Sequence, residues 1–217
     1  MFKEFGPSRG THMTVTSARP TRRTLVRGAA WSVPVVSLAA AAPAFAASPI
    51  TCPIVPPSDL WTTTTTGTLG TFSSGGFAWE NGSWIVYRDN GSTADPLTFT
   101  STSPAMTVVP GATYEVSFPF WWGYGNGNVN SSTAGTFDVL FNGASQKSLT
   151  TRTPAVDANA AAAGSQPGST TQNFSYVVPA GTTSVTIVYR YVLTPRSRSA
   201  SDDIVVGRLS FNNCTAN

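Results

Sequence analysis

Apolar and polar residues alternate with a period of two along most of the chain after residue 68, which is the pattern of half-buried β-strands. Turn dipeptides such as Asn81-Gly82 and Asn142-Gly143 interrupt this alternation at short intervals. The pattern predicts strands at Leu69–Ser73, Gly76–Glu80, Ser83–Arg88, Leu97–Ser103, Met106–Val109, Thr113–Trp122, Thr136–Phe141, Gln146–Thr150, Thr171–Val178, Ser184–Leu193 and Ile204–Phe211.

Helix signals are nearly absent, whereas Thr, Val, Phe, Tyr and Gly are abundant. This composition, with many short strands joined by turns, predicts an all-β fold built as an antiparallel β-sandwich. Two segments lack the alternation, the threonine run Thr62–Thr66 and residues 154–168. We expect both to be mobile connections.

Charge is unevenly distributed. Six of the thirteen Lys and Arg residues lie before residue 28 with a single anion, Glu4, whereas the chain after Ala46 carries seven cations and nine anions. The pI of about 9.1 therefore reflects the N-terminal segment. A slightly acidic body gains little from counterion release, so a nucleic-acid partner is not expected.

The N-terminal segment has the layout of an export signal. Arg22 and Arg23 precede a mildly apolar run of residues 29–42, which is too short and too weakly apolar to span a membrane, and no second apolar run of spanning length follows. Ala44 and Ala46 occupy the two small positions of an A-x-A cleavage site. We predict a twin-arginine-type signal peptide in residues 1–46 and one β-sandwich domain in residues 47–217 of a secreted or cell-surface protein. Both Met1 and Met13 remain candidate start sites.

The chain has two cysteines, Cys52 and Cys214. An oxidising destination and an even count predict a structural disulfide between them. Closing so long a loop lowers the entropy of the unfolded chain and is worth roughly 5 kcal/mol.

Three stretches resemble the jelly-roll carbohydrate-binding modules of bacterial secreted proteins. They are residues 70–75 (GTFSSG), residues 109–118 (VPGATYEVSF) and residues 202–206 (DDIVV). The resemblance implies a jelly-roll-like topology, a polysaccharide or envelope-glycan ligand, and a structural calcium ion with Asp203 as a carboxylate ligand. No other cofactor is expected.

The stretch FPFWWGYGNGN, residues 118–128, carries the candidate binding site. Strand alternation from Thr113 places Trp122 in the core and turns Trp121 to the opposite face, which it shares with Glu115. Flat aromatic rings attract the C–H faces of sugars, and amides and carboxylates match their hydroxyls. Packing at the rim of the core explains Trp121 equally well. The binding hypothesis assigns the ligand to Trp121, Tyr124, Asn126, Asn128 and Glu115.

Catalytic chemistry has little support in the sequence. The single histidine, His12, precedes the predicted cleavage site, which excludes histidine-based triads from the predicted domain. The sequence therefore favours a non-catalytic module that binds glycans or envelope polymers. Two alternatives stay open: a structural or adhesive surface subunit that contacts itself or another surface protein, and a small glycan-active hydrolase using carboxylates among Glu80, Glu115 and Asp138.

Overall fold

The computed structural model describes residues 50–71, 76–124, 132–151 and 170–216. Their order begins with a short 3-10 turn, Ser58–Leu60, and continues through fifteen strands. The strands are β1 (Thr62–Thr66), β2 (Phe77–Glu80), β3 (Ser83–Val86), β4 (Leu97–Thr102), β5 (Met106–Thr107), β6 (Thr113–Gly123), β7 (Ser132–Thr133), β8 (Gly135–Phe141), β9 (Ala144–Thr150), β10 (Thr170–Val177), β11 (Ser184–Val185), β12 (Ile187–Leu193), β13 (Ala200–Ser201), β14 (Asp203–Gly207) and β15 (Ser210–Thr215).

Two antiparallel sheets form the body. One has five strands in the order β1-β4-β12-β8-β9, and the other has the order β10-β6-β14-β3-β2 with β15 also paired to β6. Two short pairs, β5 with β11 and β7 with β13, lie outside these sheets. The predicted jelly-roll-like antiparallel sandwich is confirmed. The described residues contain no helix long and apolar enough to cross a membrane.

The inner faces of the two sheets meet in an aromatic core. Every second residue of β6, from Tyr114 to Trp122, is at most 1% exposed, and the central residues of β12 alternate in the same way. The ring of Phe137 on the five-stranded sheet lies 5.3 Å from that of Phe120 on the six-stranded sheet, between ring centroids. Burial of these rings is the main favourable contribution to folding.

Turn chemistry fixes the hairpins. Asn81 and Gly82 both have positive φ, as do Asn142 and Gly143, and these are the residue types that adopt this conformation most readily. The first pair closes the β2–β3 hairpin and the second closes β8–β9. Both turns were predicted from the sequence.

The prediction for the threonine run was wrong. Thr62–Thr66 forms β1, an edge strand paired in register with β4, so that Thr62 lies opposite Thr102 and Thr66 opposite Thr98. β-branched residues suit such cross-strand pairs, and this pairing orders a segment that shows no alternation of its own. Residues 152–169 lie outside the described residues, so the expectation for 154–168 stays a prediction.

Three other predicted strands differ from the structure. The predicted strand Ser184–Leu193 is divided into β11, which pairs with β5, and β12, which pairs with β4 and β8. Leu69 makes only an isolated bridge with Asn90. The predicted strand Ile204–Phe211 is divided into β14 and β15, which pair with different halves of β6. Pro119 lies in β6 where one partner gives way to the other, and a Cβ on Gly207 would approach its ring to 2.8 Å. A proline interrupts a ladder because it lacks the N–H donor.

The predicted disulfide is confirmed. Cys52 and Cys214 are bonded, with their Cα atoms 5.3 Å apart and a sequence separation of 162. Because Thr215 pairs with Thr113, this bridge lies at the end of the sandwich where β6 begins. The opposite end, where β6 finishes at Gly123 and β14 starts at Asp203, is called the loop end below.

Candidate functional site

The outward face of the six-stranded sheet carries the predicted aromatic residue. Trp122 is 1% exposed and belongs to the core, whereas Trp121 is partly exposed on the other face. The parity predicted from the sequence is therefore correct for both tryptophans. Trp121 is available to a ligand at its outer side while the strand beneath it is held by buried neighbours.

Trp121 is one end of an apolar row that crosses four strands. The pairings place Trp121 opposite Val205, Val205 opposite Ile85, and Ile85 opposite Ala78. All four residues are partly exposed. We call these four residues the outer row. Because a solvent-facing sheet face normally carries polar residues, an aligned row of partly exposed apolar side chains is a candidate binding surface.

A second aromatic ring stands beside the outer row. The ring of Tyr87 lies 6.4 Å from that of Trp121, between centroids, with an interplanar angle of 85°. An edge-to-face contact of this kind is favourable for two aromatic rings. Trp121 and Tyr87, the aromatic pair, therefore present two ring surfaces at nearly a right angle.

Gly123 provides the space for the indole. A Cβ built on Gly123 would lie 2.7 Å from Cη2 of Trp121 and 3.1 Å from Cζ2, so the six-membered part of the indole lies directly over this residue. Any side chain at position 123 would push the ring away. The observed position of the Trp121 ring therefore requires a glycine two residues along the same strand.

We expect Gly123→Ala to change stability in opposite directions in two backgrounds. In the otherwise unchanged protein the new methyl group displaces the indole and lowers the free energy of unfolding by about 1 to 2 kcal/mol. In a Trp121→Ala background the clash is absent, and alanine stabilises the strand by about 0.5 kcal/mol relative to glycine. Urea denaturation of the four proteins measures both effects. Equal effects of the alanine in the two backgrounds would show that the indole does not occupy this space.

Acidic side chains border the aromatic pair. Asp203 pairs with Gly123 on the same face, and its pKa is raised to about 7, first by burial and then by the charges of Asp89 and Asp202. Burial also raises the pKa of the Tyr87 hydroxyl, with Asp203 and Glu80 adding to the effect. The rings are therefore neighboured by groups that accept hydrogen bonds.

The other predicted ligand residues are only partly brought together. Tyr124 follows β6 directly and is partly exposed at the loop end. Glu115 is exposed on the same face, but it precedes Trp121 by six positions of extended strand, a distance of roughly 20 Å. Asn126 and Asn128 lie outside the described residues, as do Arg22, Arg23, Ala44 and Ala46 of the predicted signal peptide, and all of these assignments stay predictions.

Sequence reasoning missed Tyr87, Ile85 and Val205. Alternation within β3 and β14 places each of them opposite to buried neighbours, but it does not say which strands lie side by side. Only the register of β3, β14 and β6 aligns them with Trp121. The register between these strands is a property of the tertiary structure and is not encoded in the alternation within one strand.

The calcium ion that the family resemblance implied at Asp203 stays a prediction. No group of three or more His, Cys, Asp or Glu side chains among them is arranged to hold a metal ion. The carboxylate of Asp202 accepts hydrogen bonds from the hydroxyls of Ser132 and Thr151, and Asp89 accepts one from the backbone N–H of Ser201.

The carboxylates of the hydrolase alternative are distributed over both sheets. Asp138 lies on the five-stranded sheet, where Arg190 donates two hydrogen bonds to it, of 2.9 and 3.2 Å. Glu80 and Glu115 are on the six-stranded sheet. Asp138 is thus engaged in an ion pair away from the other two.

Comparison with known proteins gives structural likenesses only. No family model and no curated protein matches the chain. Its structural neighbours include carbohydrate-binding modules. One is a family 35 carbohydrate-binding module from an environmental isolate, at 14% identity and a TM-score of 0.34, covering 79% of this chain and 95% of the module.

Two further structural neighbours are a second carbohydrate-binding module and an enzymatic domain. TmCBM61 in complex with beta-1,4-galactotriose is 9% identical with a TM-score of 0.34, covering 72% of this chain and 90% of its own. The enzymatically active domain of bacteriophage CBA120 tailspike protein 4 is 14% identical with a TM-score of 0.36, covering 70% of this chain and 19% of its own. None of these likenesses carries a ligand or an activity over to this chain.

Proposed function

We propose that this chain is a secreted, non-catalytic binding module that recognises glycans or envelope polymers on the outward face of its six-stranded sheet. The observation that supports the proposal is the outer row, in which Trp121, Val205, Ile85 and Ala78 align across four strands and are all partly exposed. The disulfide suits an oxidising compartment outside the cytoplasm.

The chemistry of the face suits a sugar. The apolar C–H face of a pyranose ring stacks on an aromatic ring, and the aromatic pair offers one surface beneath a sugar and one beside it. Sugar hydroxyls need polar partners around the ring, and Asp203 and Glu80 lie close enough to Tyr87 to raise its pKa. A face with apolar centre and acidic border therefore matches the two sides of a carbohydrate.

The rigid support beneath the face favours binding over mere packing at a core rim. Trp121 lies on β6, an interior strand of the sheet, and its ring packs over Gly123 and against the ring of Tyr87. A ring held in place loses little conformational entropy when a ligand arrives. Little of the favourable free energy of a sugar contact is therefore offset by the cost of ordering the site.

We expect Trp121→Ala to weaken polysaccharide binding by about tenfold or more, because ring stacking and buried apolar area together contribute more than 1.4 kcal/mol. Affinity electrophoresis with dextran, galactan, xylan and laminarin measures the binding, and pull-down with insoluble cell-wall fractions extends it to envelope polymers. The melting temperature of the variant is measured alongside, because the contact with Tyr87 is also lost.

Val177→Ala is the matched control. Val177 is 58% exposed on the outward face of β10 and pairs with Thr113, at the end of the sheet far from Trp121. Its replacement removes exposed apolar surface without touching the outer row, so binding should be unchanged. The proposal is wrong if no polymer retains the unmodified protein, or if Trp121→Ala binds as the unmodified protein does.

The Trp121→Ala variant also tests the alternative that the chain is a structural or adhesive surface subunit. If the outer row contacts a second copy of the chain, sedimentation analysis at high concentration shows a dimer that Trp121→Ala converts to monomer. That result, together with an absence of polymer binding, would replace the proposal with self-association.

A further inference from the structure

A pocket of about 510 Å³ lies at the loop end, and the outer row does not include it. Ligand sites in proteins commonly have volumes in this range. The pocket gathers two arginines, one carboxylate and three hydroxyl groups within a single short stretch of surface, and its lining residues are Asp89, Thr93, Arg196, Ser197, Arg198, Ser199 and Ala200.

The segment that carries both arginines is held by backbone hydrogen bonds. Arg196 donates its N–H to the carbonyl of Ser92 at 2.7 Å. The N–H groups of Ser197 and Arg198 both donate to the hydroxyl of Thr133, each at 3.2 Å, and Thr133 is 2% exposed. A buried side chain therefore sets the course of the arginine segment.

The residues that follow Asp89 and Ala200 of the pocket lining are equally well held. Asn90 is fully buried and donates its side-chain amide to the carbonyls of Asp95 and Thr194, at 2.9 and 3.0 Å. Its backbone N–H donates to the hydroxyl of Ser201, while the N–H of Ser201 donates to the carboxylate of Asp89. Polar groups whose own backbone is fixed in this way are preorganised for a ligand.

The pocket adjoins the aromatic pair. Asp89 follows Tyr87 by two residues, and its charge acts on Asp203, which lies on the face of Trp121. A polymer that passes over the aromatic pair along the strand direction, towards the loop end, would reach the pocket with its next residues. One chain of sugars can engage both places.

We infer that this pocket takes an acidic sugar residue, with the guanidinium groups of Arg196 and Arg198 binding its carboxylate or sulfate group. Arginine suits both oxyanions because its planar donors pair with two oxygens at once. The carboxylate of Asp89 and the neighbouring hydroxyls accept and donate hydrogen bonds to the hydroxyls of the same sugar. This inference rests on the proposed function and narrows its ligand to anionic polysaccharides.

The test uses two matched polymer pairs in affinity electrophoresis. Dextran and dextran sulfate share one backbone and differ in sulfate, whereas methyl-esterified and de-esterified galacturonan differ in free carboxylate. We expect the unmodified protein to bind one acidic polymer at least about tenfold more tightly than its neutral counterpart. Which pair shows the difference distinguishes carboxylate from sulfate.

Arg198→Gln should remove most of that preference without changing the melting temperature, because Arg198 is exposed. Lys147→Gln is the matched control, since Lys147 lies on β9 of the other sheet and its loss lowers the net charge equally. If Lys147→Gln weakens binding as much as Arg198→Gln does, the attraction is non-specific and the inference is wrong.

The remaining outcomes are equally decisive. Equal affinity for the acidic and neutral members of both pairs, with binding still lost in Trp121→Ala, would overturn the acidic-sugar inference and leave the proposed function intact. No binding to any of the four polymers or to the neutral panel would overturn both.

Discussion

Replacing both Cys52 and Cys214 by serine should lower the free energy of unfolding by about 3 to 5 kcal/mol. The bridge closes a loop with a sequence separation of 162 residues, and the chain-entropy model assigns roughly 5 kcal/mol to a loop of that length. The loss arises mainly in the unfolded chain, which becomes free to expand. It is of the same order as the whole stability of many single domains.

Urea denaturation of the double-serine variant measures this loss. The unmodified protein in excess dithiothreitol is the control, because reduction removes the same constraint without a substitution and should reproduce the loss. A decrease below about 1 kcal/mol in both samples would mean that the unfolded chain is already compact near these residues.

Asp203→Asn should stabilise the protein at pH 8 and leave it unchanged near pH 4. The pKa of Asp203 is raised to about 7 in the folded protein from 3.8, so the folded state holds the proton more tightly than the unfolded state does. Stability from this group is therefore fully present below pH 4 and is lost as the pH rises to about 7. Asparagine keeps the shape and avoids the buried charge.

The gain at pH 8 has an upper limit of about 4 kcal/mol, since each unit of pKa shift corresponds to 1.36 kcal/mol. The experiment compares the two proteins by urea denaturation from pH 4 to pH 8 in buffer containing EDTA. The difference in their free energies of unfolding reports on Asp203 alone, because the other carboxylates titrate in both proteins. A constant difference across this range would exclude a raised pKa at Asp203.

Local sequence information was sufficient for most of the fold. The alternation within Thr113–Trp122 placed each side chain of β6 on its correct face, and Asn81-Gly82 and Asn142-Gly143 located two hairpin turns. These features depend on neighbours in sequence. The disulfide was also predictable, because a chain with two cysteines allows only one intramolecular pairing.

Features that depend on pairing between distant strands were not predictable. The threonine run has the same residue type on both faces, and only its contact with β4 shows that it is a strand. The outer row likewise depends on the register of β2, β3, β14 and β6. From the sequence, Trp121 was recognisable as an outward ring, whereas its neighbours Tyr87 and Val205 were not.

The arginine pocket was the least predictable feature. Arg196 and Arg198 lie near two aspartates in sequence, which suggests local neutralisation by solvated ion pairs. In the structure, Thr133 and Ser92 from distant parts of the chain hold this segment beside Asp89. The arrangement of the pocket therefore depends on hydrogen bonds between distant segments, more than a hundred residues apart for Ser92 and more than sixty apart for Thr133.

The covalent bridge and the proposed ligand groups lie at opposite ends of β6, which extends over eleven residues or roughly 35 Å. Covalent stabilisation and the proposed ligand binding are therefore located in separate regions of the protein. Reduction of the bridge would lower the stability of the folded protein, whereas the affinity of a folded molecule for the proposed ligand should not change.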